Sequence, residues 1–143
     1  MDDAYFMRQA LKEARHAFDI GEVPVGAVVV LRNRIVARAH NLTETLNDVT
    51  AHAEMQAFTS AANTLGGKYL FDCTLYVSLE PCIMCAGAAF WSKIGRIVYG
   101  ADDPDRGFTR VHKEILHPQT ELTGGILAKE SRDLIRKFFF KKR

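Results

Sequence analysis

The chain has 143 residues and a formal net charge of +2, with 48% of its residues hydrophobic and 25% charged. That length suits one domain with a sizeable core, so residues 1–143 are read as a single domain. The composition is that of a globular protein, no apolar run approaches the roughly 20 residues of a membrane span, and so small a charge does not by itself mark a nucleic-acid binder. Three cysteines argue against a disulfide framework and fit a reduced, cytoplasmic setting. The acidic, amphipathic stretch MDDAYFMRQALKEAR does not have the form of a secretory signal.

Tyr5, Phe6, Leu11, Ala14, Ala17 and Phe18 recur at helical spacing and predict an amphipathic helix that Gly21 and Pro24 end. Residues 25–31, VGAVVVL, read as a buried strand, and 35–41, IVARAHN, as its hairpin partner across Arg32-Asn33-Arg34. After a polar loop, Thr50 is the expected cap of an alanine-rich helix that starts at His52 and stops at Gly66-Gly67. Residues 73–79, CTLYVSL, alternate like a strand, Pro81 marks a switch, and CIMCAGAAFWSKI reads as the next helix. RIVYGA, 96–101, is a further strand. The segment 108–125 is irregular, with a short strand expected at 121–123, and ILAKESRDLIRKFFFKK closes the chain as a helix. This order predicts an α/β fold, three layers with helices on both sides of a mixed sheet of about five strands.

Two short stretches carry chemistry: His52-Ala53-Glu54, and Pro81-Cys82-Ile83-Met84-Cys85. Residues three apart on a helix share a face, so Cys82 and Cys85 can point at one ion. Both fall in a first helical turn, where unpaired N–H groups and the helix dipole favour thiolates. His52 stands in the same position on the preceding helix, and both helix starts are expected at one edge of the sheet. Two sulfurs and an imidazole suit zinc. Three protein ligands rather than four leave a position for water, the mark of a catalytic site. Residues two apart on a helix diverge by about 200°, so His52 and Glu54 serve one site only if it lies beyond the helix end. Glu54 would then take a proton from the water and pass it to a leaving amine.

H-x-E followed by P-C-x-x-C resembles the zinc-dependent nucleobase and nucleoside deaminases. The segments EVPVGAVVV, AHN, DVTAHAEMQA, TLYVSLEPCIMCAGA, IGRIVYGADDP and GGILAKES extend the likeness along the chain to the bacterial tRNA-specific adenosine deaminases. The resemblance implies a cytidine deaminase-like fold, one zinc per chain on His52, Cys82 and Cys85, and Glu54 as proton shuttle. It implies that Asn41 and the backbone N–H of Ala53 contact the purine and that Val25 and Gly26 line the pocket. It further implies a homodimer acting on the anticodon arm of tRNA, where adenosine becomes inosine at the wobble position. Val49 and Ser131 depart from common family residues, and the segment after Phe108 lacks the family's longer Gly-Ser-Leu stretch. That shortening leaves open a deaminase of free guanine, cytosine or cytidine; the alternative of another class is a zinc-stabilised RNA-binding module without catalysis, which would have no use for Glu54.

Other residues have plainer readings. Cys73 begins an apolar strand and reads as a small buried hydrophobe, and Met84 as core. His112 and His117 are open between turn-forming and RNA-contacting roles. Phe138, Phe139 and Phe140 span too wide an arc for all three to face one core.

Overall fold

A computed structural model describes residues 1–142. The chain runs α1 (Asp3–Asp19), β1 (Gly26–Leu31), β2 (Arg34–His40), α2 (Ala53–Leu65), β3 (Cys73–Leu79), α3 (Ile83–Ser92), β4 (Arg96–Ala101), β5 (Glu121–Thr123) and α4 (Ala128–Lys142). The five strands form one mixed sheet in the order β2-β1-β3-β4-β5. The pairs β2/β1 and β1/β3 are antiparallel; β3/β4 and β4/β5 are parallel.

Strand alternation divides the core. Along β1, Ala27 and Val29 face one side of the sheet and Val28 and Val30 the other. The first side, with Leu75, Val77 and Ile97, packs under α2 and α3, meeting Ala57, Phe58, Ala61, Ala86 and Ala89. The second side, with Tyr76 and Val98, is covered by Phe6, Met7, Ala10 and Leu11 of α1. α4 lies on that same side, where its buried Ser131 hydroxyl donates to the carbonyl of Ser78. The small alanines of α2 and α3 let those helices approach the sheet closely.

The turn between β1 and β2 places Arg32 and Asn33 at φ 50° and 66°, the left-handed pair that matches the twist of a two-residue hairpin. Because β2 and β3 both run antiparallel to β1, they point the same way. The chain therefore leaves β2, β3 and β4 at one edge of the sheet, and α2 and α3 begin there. Among the described residues, no helix is long and apolar enough to cross a membrane.

One expectation of local structure needs correction. Thr50 does not cap α2: its N–H and hydroxyl both donate to Oδ1 of Asp48 at 2.8 Å, so the cap position passes to His52. The segment 108–120 contains two short 3-10 turns, Phe108–Arg110 and Lys113–Ile115, too brief to leave a periodic signal.

Candidate active site

His52 and Cys82 are the N-cap residues of α2 and α3, and both have extended backbone. Neither side chain makes a capping hydrogen bond. An N-cap side chain lies beyond the helical cylinder, so both can turn toward one point between the two helix starts. Pro81 precedes the cap of α3 and holds the chain's entry there. Cys85, one turn on, is 1% exposed and completes the group.

Nδ1 of His52 lies 3.6 Å from Sγ of Cys82 and 3.5 Å from Sγ of Cys85. Zinc bonds of about 2.3 Å to sulfur and about 2.05 Å to nitrogen, opened at the tetrahedral angle, set sulfur and nitrogen about 3.55 Å apart. The donor set and its spacing therefore fit zinc. Glu54, at the second position of α2 and 4% exposed, is buried beside this group.

The electrostatics follow from the crowding. The hydrogen bond from Cys85, aided by His52 and against the cost of burial, pulls the Cys82 thiol down to about 4. The same bond to Cys82, with burial and the nearby charge of Glu54, pushes the Cys85 thiol up. His52 is raised, first by its contact with Cys82. Burial is the largest cause of the rise of the Glu54 carboxyl to about 7; the Cys82 charge adds to it, while its own backbone N–H and His52 oppose it. A carboxyl near neutrality is suited to moving a proton in either direction.

The group opens on a cavity of about 590 Å³. Asn41, Val25, Ala53, His52, Glu54 and Cys82 all line it. Asn41 is 7% exposed and leaves β2 at the edge where α2 begins; its N–H donates to the carbonyl of Val25 at 3.1 Å and its Oδ1 accepts from the N–H of Thr43 at 3.3 Å. Ala53 opens α2, so its N–H has no acceptor within the helix.

Gly26 is the predicted pocket residue that the structure does not bring to the cavity. A Cβ there would lie 2.1 Å from the carbonyl oxygen of Ala10 and 2.3 Å from the nitrogen of Ala14, so the glycine lets α1 press onto β1. Met84 lines the cavity instead of the core. His112 and His117 accept from the N–H groups of Glu114 and Gln119, local turn contacts. Cys73 is buried in the core beneath α2 and α3.

Sequence reasoning missed Glu80, which lies immediately before Pro81, lines the cavity and is 4% exposed. Its carboxylate accepts the N–H groups of Asp103 and Thr109, so it ties the loop after β4 over the site. Its signal was an acidic residue between an apolar strand and a proline. Arg106 and Arg110 of that same segment also line the cavity.

Residues 1–101 match the model of the cytidine and deoxycytidylate deaminase zinc-binding region. The chain is 43% identical over 142 residues to the tRNA-specific adenosine deaminase of Bacillus subtilis (strain 168), covering 96% of this chain and 88% of that protein. A solved structure from biochemical and structural studies of A-to-I editing by tRNA:A34 deaminases at the wobble position superposes with a TM-score of 0.85 at 42% identity, covering 91% of this chain and 98% of that one. Guanine deaminase from Bacillus subtilis superposes with a TM-score of 0.70 at 39% identity, over 73% of this chain and 68% of that one.

Proposed function

The chain belongs to the zinc-binding cytidine and deoxycytidylate deaminase family and, within it, to the tRNA-specific adenosine deaminases, and from that premise we propose that it hydrolyses adenosine to inosine at the wobble position of a tRNA anticodon. The observation that carries this is the buried Glu54 carboxyl beside the converging His52, Cys82 and Cys85, on a cavity that Asn41 and Ala53 also line. A purely structural zinc site has no use for a buried carboxyl held near neutrality.

His52, Cys82 and Cys85 would hold one zinc per chain. When bound, zinc supplies Lewis acidity that brings the pKa of water toward 7. Glu54 takes the proton from the water that adds at C6 of the purine. It delivers that proton to the exocyclic nitrogen, which leaves as ammonia. The side chain of Asn41 and the N–H of Ala53 orient the base so that C6 faces the reacting water. Val25 supplies apolar wall. The anticodon loop is single-stranded, so turning out its base costs little. Arg106 and Arg110 at the cavity place positive charge where a backbone phosphate would follow the flipped base.

The homodimer belongs to the same reading. Ile83 and Trp91 of α3 are 50% and 74% exposed, and Gly87 stands between them at the same spacing with open space over its Cα. That stripe is shaped to admit a second copy, and Ile83 also lines the cavity, so the interface would adjoin the site. A tRNA substrate and free cysteines support a cytoplasmic setting.

The likeness to guanine deaminase and the short segment after Phe108 favour free guanine as the second reading. One assay separates them. Zinc-loaded protein is incubated with an anticodon stem-loop carrying adenosine at the wobble position and, in parallel, with adenosine, guanine and cytidine. Inosine formed in the stem-loop alone supports tRNA editing; xanthine formed from guanine, with the stem-loop unchanged, overturns it.

A further inference from the structure

On the opposite face of the sheet from the zinc ligands, α1 and β2 bring together three further donors. Glu13 and His16 are three apart on α1, and His40 ends β2. Oε1 of Glu13 lies 3.0 Å from Nδ1 of His40, and Oε2 lies 3.7 Å from Nδ1 of His16. One ligand atom from each residue falls within 4.8 Å of the other two. Neighbouring ligands on an ion with bonds of about 2.0–2.2 Å stand about 3–3.5 Å apart. The two carboxylate oxygens are already aimed at two ring nitrogens at close to that spacing, and the exposed His16 side chain can rotate to close the rest.

The charge balance points to a cation. Glu13 is 8% exposed. Among the described residues, its ion-pair partners are His16 and His40, and no lysine or arginine meets it. Glu13 thus sets two carboxyl oxygens against two imidazole nitrogens with no lysine or arginine beside them, a donor set that a divalent ion can bridge. The close contact of Gly26 with α1 fixes Glu13 there, since a Cβ at that glycine would lie 2.7 Å from Cβ of Glu13. Further along the same face of β2, Arg38 reaches Gln9 of α1 at 3.0 Å, so the helix and the edge strand are in register when His40 arrives.

We propose that Glu13, His16 and His40 form a second metal site, which takes one borderline divalent ion of the kind imidazole prefers, zinc, nickel or copper. The site lies at the surface, so water completes the coordination. The ion fastens α1 to the end of an edge strand, at the residue directly before Asn41.

The test uses zinc-loaded enzyme titrated with nickel, with zinc content measured on the same samples and thermal unfolding followed with and without nickel. Wild-type protein takes up one nickel per chain, keeps its zinc, and unfolds at a higher temperature with nickel present. His16→Ala, a change at an exposed side chain that leaves the fold intact, binds nickel at least tenfold more weakly and loses the thermal shift. Glu13→Gln behaves the same way. The proposal is overturned if nickel does not bind, if it enters only as zinc leaves, or if His16→Ala binds it as tightly as wild type.

Discussion

Oε2 of Glu80 accepts both the backbone N–H and the hydroxyl of Thr109, at 3.0 and 2.7 Å. A matching arrangement stands across the cavity, where Oε2 of the fully buried Glu22 accepts the N–H and hydroxyl of Thr45 at 2.6 and 2.7 Å. Burial alone would raise the Glu22 carboxyl, yet these bonds and the N–H of Glu44 leave it below the usual range. Two buried carboxylates thus pin the two loops that wall the site, one on each side.

Glu80→Gln weakens this anchoring without opening a void. Hydrogen bonds to a charged acceptor contribute about 1.5–3 kcal/mol, so chemical denaturation of the zinc-loaded variant is expected to show a loss of about that size. Gly107→Ala attacks the same contact from the other side, since a Cβ there would lie 2.2 Å from Oε2 of Glu80. Both variants keep their zinc and deaminate the stem-loop more slowly; unchanged stability in both would remove Glu80 from this role.

Asp3 ties the start of α1 to the sheet. Both of its oxygens accept from Arg96, each at 2.8 Å, and Oδ1 also accepts from the hydroxyl of Tyr76 at 2.7 Å. The Arg96 bonds, with help from Tyr76 and against burial, hold its carboxyl below the ordinary 3.8. A carboxyl lowered on folding stabilises the protein above its unfolded pKa and loses that contribution as pH falls through the folded value. Asp3→Asn is therefore expected to cost about 1 kcal/mol near pH 7, with the difference from wild type vanishing as the pH drops below 3.8. A difference that persists undiminished into that acid range would assign the effect to packing.

Trp91→Glu places a charge at the C-terminal end of the exposed stripe on α3. Sedimentation is expected to show wild-type protein as a dimer and the variant as a monomer, with zinc content unchanged and activity on the stem-loop reduced several-fold. A wild-type monomer at micromolar concentration would rule out the interface.

Much of this was legible in the sequence, for identifiable reasons. The strands are β-branched runs bounded by glycine, proline and polar turns, and the two stretches proposed to hold zinc are short enough that local geometry fixes their spacing. Even β5, three residues long, was visible at Glu121–Thr123. The misses share a different cause. Thr50 has the side chain of a cap, but Asp48 captures it first, a competition that residue type alone does not reveal. Gly26 sits beside Val25 in the chain, yet consecutive strand residues face opposite sides, and helix packing claims the glycine. Glu80 and Glu22 act through loops some 20 or more residues away, and Glu13 meets His40 only once α1 lies against β2. Such pairings are decided by tertiary packing and leave no periodic trace.

In the proposed mechanism Glu54 moves the proton at a site whose metal is held by His52, Cys82 and Cys85. The most direct measurement is zinc content and inosine formation on one preparation of Glu54→Gln, beside wild type. The variant should carry one zinc per chain and form inosine about 10²–10⁴-fold more slowly, the range expected on losing a general acid–base group. Turnover near the wild-type rate with zinc in place would contradict the account.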